Sequence, residues 1–391
     1  MEDKIIKNYE QRKQYFLLPV REMKEYVART FDVRHNVITD VYEFRAKEGD
    51  EPWRPLDERG FNTIACGIEE ANIFCLDSRI KHWLRSDFAH DYHPVRQWLD
   101  GVRGMWDGTE RTADLLGRIS PTRYCRDMGR IWLRAVVSQW MGYDTEHANA
   151  VMLLLVSPQQ GLHKSTFVRE LLPPELRDYY TDDFSLAAKG NAQRKLVEFA
   201  IVNIDEFDKE NPKKMPELKT LMQTMKPSFI GSYKKNFNRL PRIASFVGTS
   251  NSRQLLHDRS GSRRFLIMEP KGVIPTGNID YQQLYAQLIH EVEAGKRTYF
   301  TKREEQEMQH RNRRYYAKDE LEQLFTAFFR PAHGSQEGEA LTAEQLLHEL
   351  TLRNRTVTRQ LSPTLLGRRL VDMGLKPVHT RNGSVYRIVK L

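Results

Sequence analysis

The chain has 391 residues, which is enough for two or three domains that each bury a core of their own. Its three cysteines are too few for a disulfide framework, and no apolar run is long enough for a signal peptide or a membrane span. We therefore expect a cytoplasmic protein with no membrane partner. The net charge of +9 favours a polyanionic partner, although a basic solvated surface would give the same value.

Residues 1–100 predict a small α+β leader domain. Alternating apolar and polar side chains predict a strand over residues 37–45, with residues 53–56 as its partner after a polar turn. Helical spacing predicts helices over residues 68–88 and from residue 94 to residue 99.

Residues 101–275 predict an α/β domain with a helical lead-in to about residue 150. A helix is expected over residues 123–141, where Trp132 and Trp140 lie on the apolar side and are typical of a core. Strands and helices then alternate, which predicts a mostly parallel sheet. The predicted strands are 153–156, 199–204, 244–248 and 265–268, and the helices between them are 165–172 and 216–225.

The last third of the chain predicts a charged helical extension over 276–330, a polar linker over 331–340 and a compact module over 341–391. In this module Thr342 caps a helix that runs to about residue 353, and Ser362 precedes a second helix. A hairpin around Asn382-Gly383 would follow. Two helices and a two-stranded wing predict a winged-helix-like fold.

The most informative stretch joins an apolar strand to a helix through a tight turn that ends in Lys-Ser-Thr, as in a phosphate-binding P-loop. The pattern GxxxxGK[ST] is met only from Lys164 onward, since Pro158 and His163 stand at the two glycine positions. Because Pro158 has no N–H and both residues narrow the turn, we expect ATP binding but leave the rate of hydrolysis open. A strand–turn–helix with an incidental lysine is the alternative. The predicted ATP-binding residues are Gly161, Leu162, His163, Lys164, Ser165 and Thr166, of which Ser165 would bind Mg²⁺.

Three further side chains follow the predicted strands in the order that phosphoryl chemistry requires. Asp205 and Glu206 end a strand about forty residues after Lys164, where Asp205 would hold Mg²⁺ and Glu206 would orient the attacking water. Asn251 ends the next strand and would bond the γ-phosphate or that water. A solvated carboxylate pair and a turn-forming asparagine are the alternatives.

Arg263 and Arg264 stand just before the last strand. An arginine presented across a subunit boundary stabilises the transition-state charge on a neighbour's ATP, and a surface ion pair is the alternative.

These motifs in series resemble the virulence-associated protein E family, which is related to the superfamily III (AAA+-like) helicases of satellite phages and plasmids. The resemblance implies an α/β P-loop NTPase (AAA+-like) core and a Mg²⁺- and ATP-dependent homo-hexamer that acts on DNA in a bacterial mobile element. Many relatives carry a primase region upstream, so we expect any primase to be a separate polypeptide. The matching residues are 161–167, Ile204-Asp205-Glu206, Gly248-Thr249-Ser250-Asn251 and 261–265, with Trp106-Asp107-Gly108 and Arg34-His35-Asn36-Val37 as flanking features.

Residues 209–242 hold nine basic side chains against two acidic ones, in the interval that supplies a pore-lining hairpin in superfamily III helicases. Cations interleaved with aromatic rings suit single-stranded DNA, and a solvated basic loop is the alternative. The predicted contacts are Lys234, Lys235, Phe237 and Arg239. In the terminal module Arg368 and Arg369 would contact duplex DNA, unless the module docks a protein.

The sequence therefore predicts a DNA helicase or translocase. Two alternatives stay open: an ATP-binding DNA tether that does not unwind, and a regulatory or anti-phage defence ATPase. Fold alone cannot separate them.

Overall fold

The structure is a computed structural model. Its described residues are 18–144, 146–184, 189–230, 237–238, 241–257, 259–317, 320–332, 338–380 and 383–391.

The amino-terminal part of the chain folds around a mixed four-stranded sheet. The sheet has the order β3-β2-β1-β4, in which β4 is parallel to β1 and the other neighbours are antiparallel. Its apolar side packs on helices α1 to α3 in a core of its own. The elements are α1 (18–30), β1 (Phe31–Asn36), β2 (Val41–Ala46), β3 (Arg54–Pro55), α2 (Glu58–Glu70), α3 (Asp77–Leu84) and β4 (His90–Tyr92).

Two predicted elements of this part contain a turn. The strand expected over residues 37–45 begins instead at Val41, as β2, and residues 37–40 form the turn from β1, because the Asn36 side chain accepts hydrogen bonds from the amides of Ile38 and Thr39 and Asp40 has a left-handed φ of 59°. The helix expected over residues 68–88 is α2 and α3, with Asn72 at φ 57° between them. Asparagine and aspartate tolerate this conformation better than other residues, which explains both turns.

The central part of the chain is an α/β layer around a five-stranded parallel sheet, as predicted. The strand order is β11-β5-β10-β7-β6, and every neighbouring pair is parallel. All residues of the four longer strands are buried. These strands are β5 (Met152–Val156), β7 (Ile201–Ile204), β10 (Ser245–Ser250) and β11 (Phe265–Met268), and β6 is Tyr180–Thr181.

Helices cover both faces of this sheet, and the side chains of β5 alternate between them. Leu153 and Leu155 join one cluster, whereas Met152 and Leu154 join the other. The first cluster receives the predicted helix α6 with its buried Trp132 and Trp140. The helices up to this point are α4 (Pro94–Val102), α5 (Thr112–Gly117), α6 (Arg123–Met141), α7 (Lys164–Arg169), α8 (Lys189–Glu198) and α9 (Met215–Gln223).

A short antiparallel pair, β8 (Phe229–Ile230) and β9 (Phe237–Asn238), lies between β7 and β10 in the chain. After β11 the chain continues into α10 (Tyr281–Glu293) and α11 (Lys302–Asn312). Glu291 of α10 is buried and ion-paired with Arg130 and Arg134 of α6, which fastens α10 to the layer.

The carboxyl-terminal part has a separate core in which helices pack on an antiparallel sheet. In this sheet β12, β13 and β14 all pair with β15. Thr342 caps α13 through a capping box and Ser362 caps α15, both as predicted. The elements are α12 (Glu320–Phe328), β12 (Phe329–Pro331), β13 (Glu339–Thr342), α13 (Ala343–Arg353), α14 (Arg355–Thr358), α15 (Pro363–Asp372), β14 (Val378–Thr380) and β15 (Gly383–Lys390). Across the described ranges, no helix combines the length and apolar character needed to cross a membrane.

Candidate functional site

The turn between β5 and α7 lies at the carboxyl edge of the central sheet, where ligands bind in open α/β folds. Gly161 and His163 both adopt left-handed backbone conformations, with φ of 74° and 59°. This reversal directs the chain into α7, which begins at Lys164. The side chain of His163 is exposed, so the imidazole lies outside the packed interior of the turn.

Lys164 is buried, and its ammonium group reaches across the sheet edge to the end of β10. Its Nζ donates to Asn251 Oδ1 at 2.8 Å and lies 3.4 Å from the carbonyl oxygens of Ser157 and Gln159. Burial lowers the pKa of Lys164, while the nearby carboxylates of Asp205 and Asp208 act in the opposite direction. Among the described residues, the three hydrogen-bond partners of the ammonium group are all neutral oxygens.

Asp205 follows β7 and collects two hydroxyl groups. Ser165 Oγ donates to Asp205 Oδ1 at 2.9 Å, and the Thr249 hydroxyl donates to the same oxygen. The register explains this contact, because Ile204 of β7 pairs with Gly248 of β10 and the next residues lie side by side. The structure thus brings together four of the predicted site residues, Lys164, Ser165, Asp205 and Asn251.

Glu206 lies outside this group. It has a left-handed φ of 50°, its carboxylate is exposed, and its Oε2 accepts a hydrogen bond from Lys209 Nζ at 2.7 Å. The left-handed turn directs the two adjacent side chains apart, and Glu206 and Asp205 have different hydrogen-bond partners in this structure.

The structure adds Asp208, which the motif search missed. Asp208 lies on a short 3₁₀ helix, Phe207–Lys209, and its Oδ1 accepts a hydrogen bond from Ser250 Oγ at 2.6 Å. No spacing rule predicts this position, because Asp205 precedes the 3₁₀ helix and Glu206, between the two aspartates, is left-handed.

Arg263 and Arg264 lie at the amino ends of the parallel strands, on the side of the sheet opposite the Lys164 turn. They end a 3₁₀ helix, Arg259–Arg264, immediately before β11, and Phe265 pairs with Met152 at the amino end of β5. Lys164 follows the carboxyl end of β5, so the strand length separates the arginines from it within one chain. The Arg263 guanidinium is ion-paired with Glu305 at 3.2 Å.

The predicted single-strand contacts Lys234, Lys235 and Arg239 lie outside the described residues. The backbone of Phe237 is in β9, opposite Ile230, and its side chain is also outside the description.

The residues on either side of the β8–β9 segment, Met225 and Arg242, are joined by a hydrogen bond and anchored in the core. The Arg242 amide donates to Met225 O at 2.9 Å. The Arg242 side chain is fully buried and donates to main-chain carbonyls of Ala244, Leu221, Met222 and Asn149. Desolvation lowers the pKa of Arg242 to about 9, and these carbonyl dipoles replace the water that the guanidinium has lost.

In the carboxyl-terminal part, Arg368 and Arg369 are exposed on α15. Arg368 lines an open groove with Thr342, Gly383 and Tyr386, between α15 and the sheet.

The two flanking motifs have structural partners. In Trp106-Asp107-Gly108, the Asp107 carboxylate accepts two hydrogen bonds from Arg111 at 2.7 Å, and its amide donates to Gln283 of α10. In the other motif, Asn36 Nδ2 donates to Tyr179 Oη at 3.1 Å, which joins the leader to the segment before β6.

Comparison with known proteins identifies two family matches. The model of the virulence-associated protein E-like domain matches residues 99–317, which is more than half of the chain. A domain of unknown function described from B. theta (DUF3874) matches residues 319–388.

Similar solved structures include three apo structures of the NrS-1 C-terminal region. Each has a TM-score of 0.44 and 12 or 13% identity, and the alignments cover 95% of this chain and 99 or 100% of the other. No curated protein matches the chain.

Proposed function

Because the chain belongs to the virulence-associated protein E-like family, we propose that it is an ATP- and Mg²⁺-dependent helicase or translocase-type ATPase that acts on DNA in the replication of a mobile genetic element. One observation carries the proposal. Lys164, Ser165, Asp205 and Asn251 come from three separate segments and meet at the carboxyl edge of a parallel sheet.

The bonding of Lys164 supports a phosphate-binding role for the turn, and with it a P-loop NTPase (AAA+-like) core. Within the described part of the chain, no hydrogen-bond partner of its ammonium group is charged, so phosphate oxygens would replace neutral acceptors by anionic ones. Gly161 to Thr166 would surround the phosphates. A carboxylate salt bridge on the lysine would have argued against this role, because phosphate would then have to displace it.

Ser165 and Asp205 fit Mg²⁺, which prefers oxygen ligands and is held by one or two carboxylates together with substrate phosphates and water. Both oxygens already lie 2.9 Å apart. Among the described residues there is no group of three or more His, Cys, Asp or Glu that could hold a metal ion, so a site completed by phosphates is the better fit here. When bound, Mg²⁺ would neutralise charge on the transferring phosphoryl group.

The remaining catalytic roles are assigned by position. Asn251 would exchange its hydrogen bond with Lys164 for one with the γ-phosphate or the attacking water. Glu206 would give up its hydrogen bond from Lys209 and orient that water. Since Arg263 and Arg264 lie at the far edge of the sheet, either would serve the ATP of an adjacent subunit in a homo-hexameric ring.

DNA would be bound in two places. Lys234, Lys235, Phe237 and Arg239 belong to the segment closed by Met225 and Arg242, which would enter the pore of the ring and bind single-stranded DNA. The carboxyl-terminal part, with α13, α15 and the β14–β15 pair, has the elements of a winged helix, and Arg368 and Arg369 would contact duplex DNA from α15.

One observation favours a second candidate function, an ATP-binding DNA tether or a regulatory or defence ATPase with little unwinding. Glu206 is bonded to Lys209 and takes no part in the Lys164 group, an arrangement that would bind nucleotide without hydrolysing it quickly.

ATP turnover measured with and without single-stranded DNA separates the two functions. A motor predicts DNA-stimulated turnover that Lys164→Ala abolishes and that Lys302→Ala, an exposed lysine on α11, leaves unchanged. Turnover no higher than that of Lys164→Ala, together with Lys164-dependent ATP binding, would favour the tether.

The arginine assignment has its own test. Lys164→Ala and the double variant Arg263→Ala/Arg264→Ala should each be inactive alone, and mixing them should restore turnover because some interfaces then pair an intact lysine with an intact arginine. No recovery in the mixture would contradict a role across the subunit boundary.

A further inference from the structure

Asp208 belongs to none of the motifs that led to the proposed function, yet its carboxylate lies beside the Lys164 group. We infer that Asp208 is a positioning residue of the nucleotide site, which acts through Ser250 to fix the turn that presents Asn251 to Lys164. The inference rests on the proposed function, because it assigns a role in the turnover of ATP bound at Lys164.

The backbone after β7 places this carboxylate. Glu206 is left-handed, and the 3₁₀ helix that follows it returns Asp208 towards the end of β10. As a result the carboxylates at positions 205 and 208 both face the β10 terminus, where Thr249 and Ser250 donate one hydroxyl to each. Glu206, between them, is directed outward to Lys209.

Ser250 connects Asp208 to the backbone turn that follows β10. Its hydroxyl is buried and lies 2.6 Å from Asp208 Oδ1, and its Oγ also accepts the Ser252 amide at 2.9 Å. The Ser252 carbonyl oxygen also lies 2.9 Å from this Oγ, but a hydroxyl has one hydrogen to donate, and the shorter contact and the negative charge favour Asp208 as its acceptor. Donation to the carboxylate leaves the lone pairs of Oγ for the Ser252 N–H. Asp208 thereby selects the Ser250 rotamer that closes the turn over residues 250–252.

Asn251 lies at the middle of this closed turn, and its Oδ1 accepts the hydrogen bond from Lys164 at 2.8 Å. The carbonyl of Ser250 also accepts the Ser157 amide at 3.1 Å, which fixes the start of the Lys164 turn to the same residue. The relay therefore runs from Asp208 through Ser250 to both sides of the nucleotide site.

Steady-state ATP turnover and binding of a fluorescent ATP analogue test the inference on the full chain. Asp208→Ala and Ser250→Ala should each lower kcat by about 10- to 100-fold, since a displacement near 1 Å has that effect, with KM and analogue affinity within about threefold of wild type. The double variant should be no slower than the slower single variant, because the two residues act as one unit. Asp208→Asn should recover part of kcat, since its amide oxygen still accepts from Ser250, and Glu210→Ala should be unaffected.

Three results would overturn the inference. The first is a kcat for Asp208→Ala within about twofold of wild type while Lys164→Ala is inactive, which leaves the proposed function intact. The second is equal losses in kcat and analogue affinity, or additive losses in the double variant, which indicate general disruption. The third is wild-type turnover no higher than that of Lys164→Ala, which removes the proposed ATPase and this role with it. Ser250→Ala deletes a single oxygen and keeps the test valid if Asp208→Ala does not fold.

Discussion

Replacing His163 by glycine tests whether the turn before α7 is held in a strained backbone conformation. The residue has φ 59° and ψ 28°, a left-handed conformation that costs a residue with a Cβ about 1–2 kcal/mol. Its side chain is exposed, so the substitution removes little packing.

The expected gain is smaller than the full strain energy. Glycine loses more backbone entropy on folding, which offsets about 0.5–1 kcal/mol. We therefore expect His163→Gly to stabilise the central α/β layer by about 1 kcal/mol.

Gly161 provides a matched control on the same turn. It has φ 74°, and a Cβ added there would meet no atom within 4 Å, so Gly161→Ala reports backbone strain without a steric clash. It should destabilise the layer by about the same 1 kcal/mol, with the opposite sign.

The measurement is hydrogen exchange during urea titration, read on peptides that cover β5 and α7. Such peptides report the α/β layer separately from the other two cores, which a single melting curve would not do. A destabilising His163→Gly together with a neutral Gly161→Ala would refute the left-handed turn and the strain argument.

Three further predictions concern packing, pH and DNA. Gly248→Ala should destabilise the central sheet by about 1–3 kcal/mol in urea unfolding, because the new Cβ would lie 2.9 Å from the Ile204 carbonyl oxygen and would push strand β10 away from β7. An unchanged unfolding midpoint would contradict this packing. The pKa of Glu304 is lowered to about 2, chiefly by hydrogen bonds from Arg297, so the stabilisation of α11 by this carboxylate is present above the unfolded pKa of 4.5 and is lost as pH falls towards 2. Hydrogen exchange measured during an acid titration should show this loss in wild type and not in Glu304→Gln. Lys234→Ala with Lys235→Ala should weaken single-stranded DNA binding and reduce its salt dependence in anisotropy titrations, whereas unchanged binding would assign the contact to other residues.

The regular part of the fold could be predicted because its signals are local. The buried strands β5, β7, β10 and β11 and the helix α6 follow from apolar runs and helical spacing, and the caps Thr342 and Ser362 mark their helices directly. Turns inside an apolar pattern were harder to predict. Asp40 and Asn72 each reverse the chain through a left-handed conformation, which the apolar pattern does not record.

The candidate site divides in the same way. Lys164, Ser165, Asp205 and Asn251 could be predicted to meet, since residues that follow parallel strands reach the same sheet edge. The directions of Glu206 and Asp208 could not, because they depend on one backbone dihedral after β7.

The closure of Met225 on Arg242 bears on how the chain can vary in evolution. Since the two ends of the intervening segment are fixed by the core, its length is nearly independent of the rest of the fold. Doubling such a closed loop costs only about 0.6 kcal/mol of closure entropy. Relatives of this chain can therefore lengthen or shorten the segment and alter what it contacts while the central α/β layer keeps its sequence.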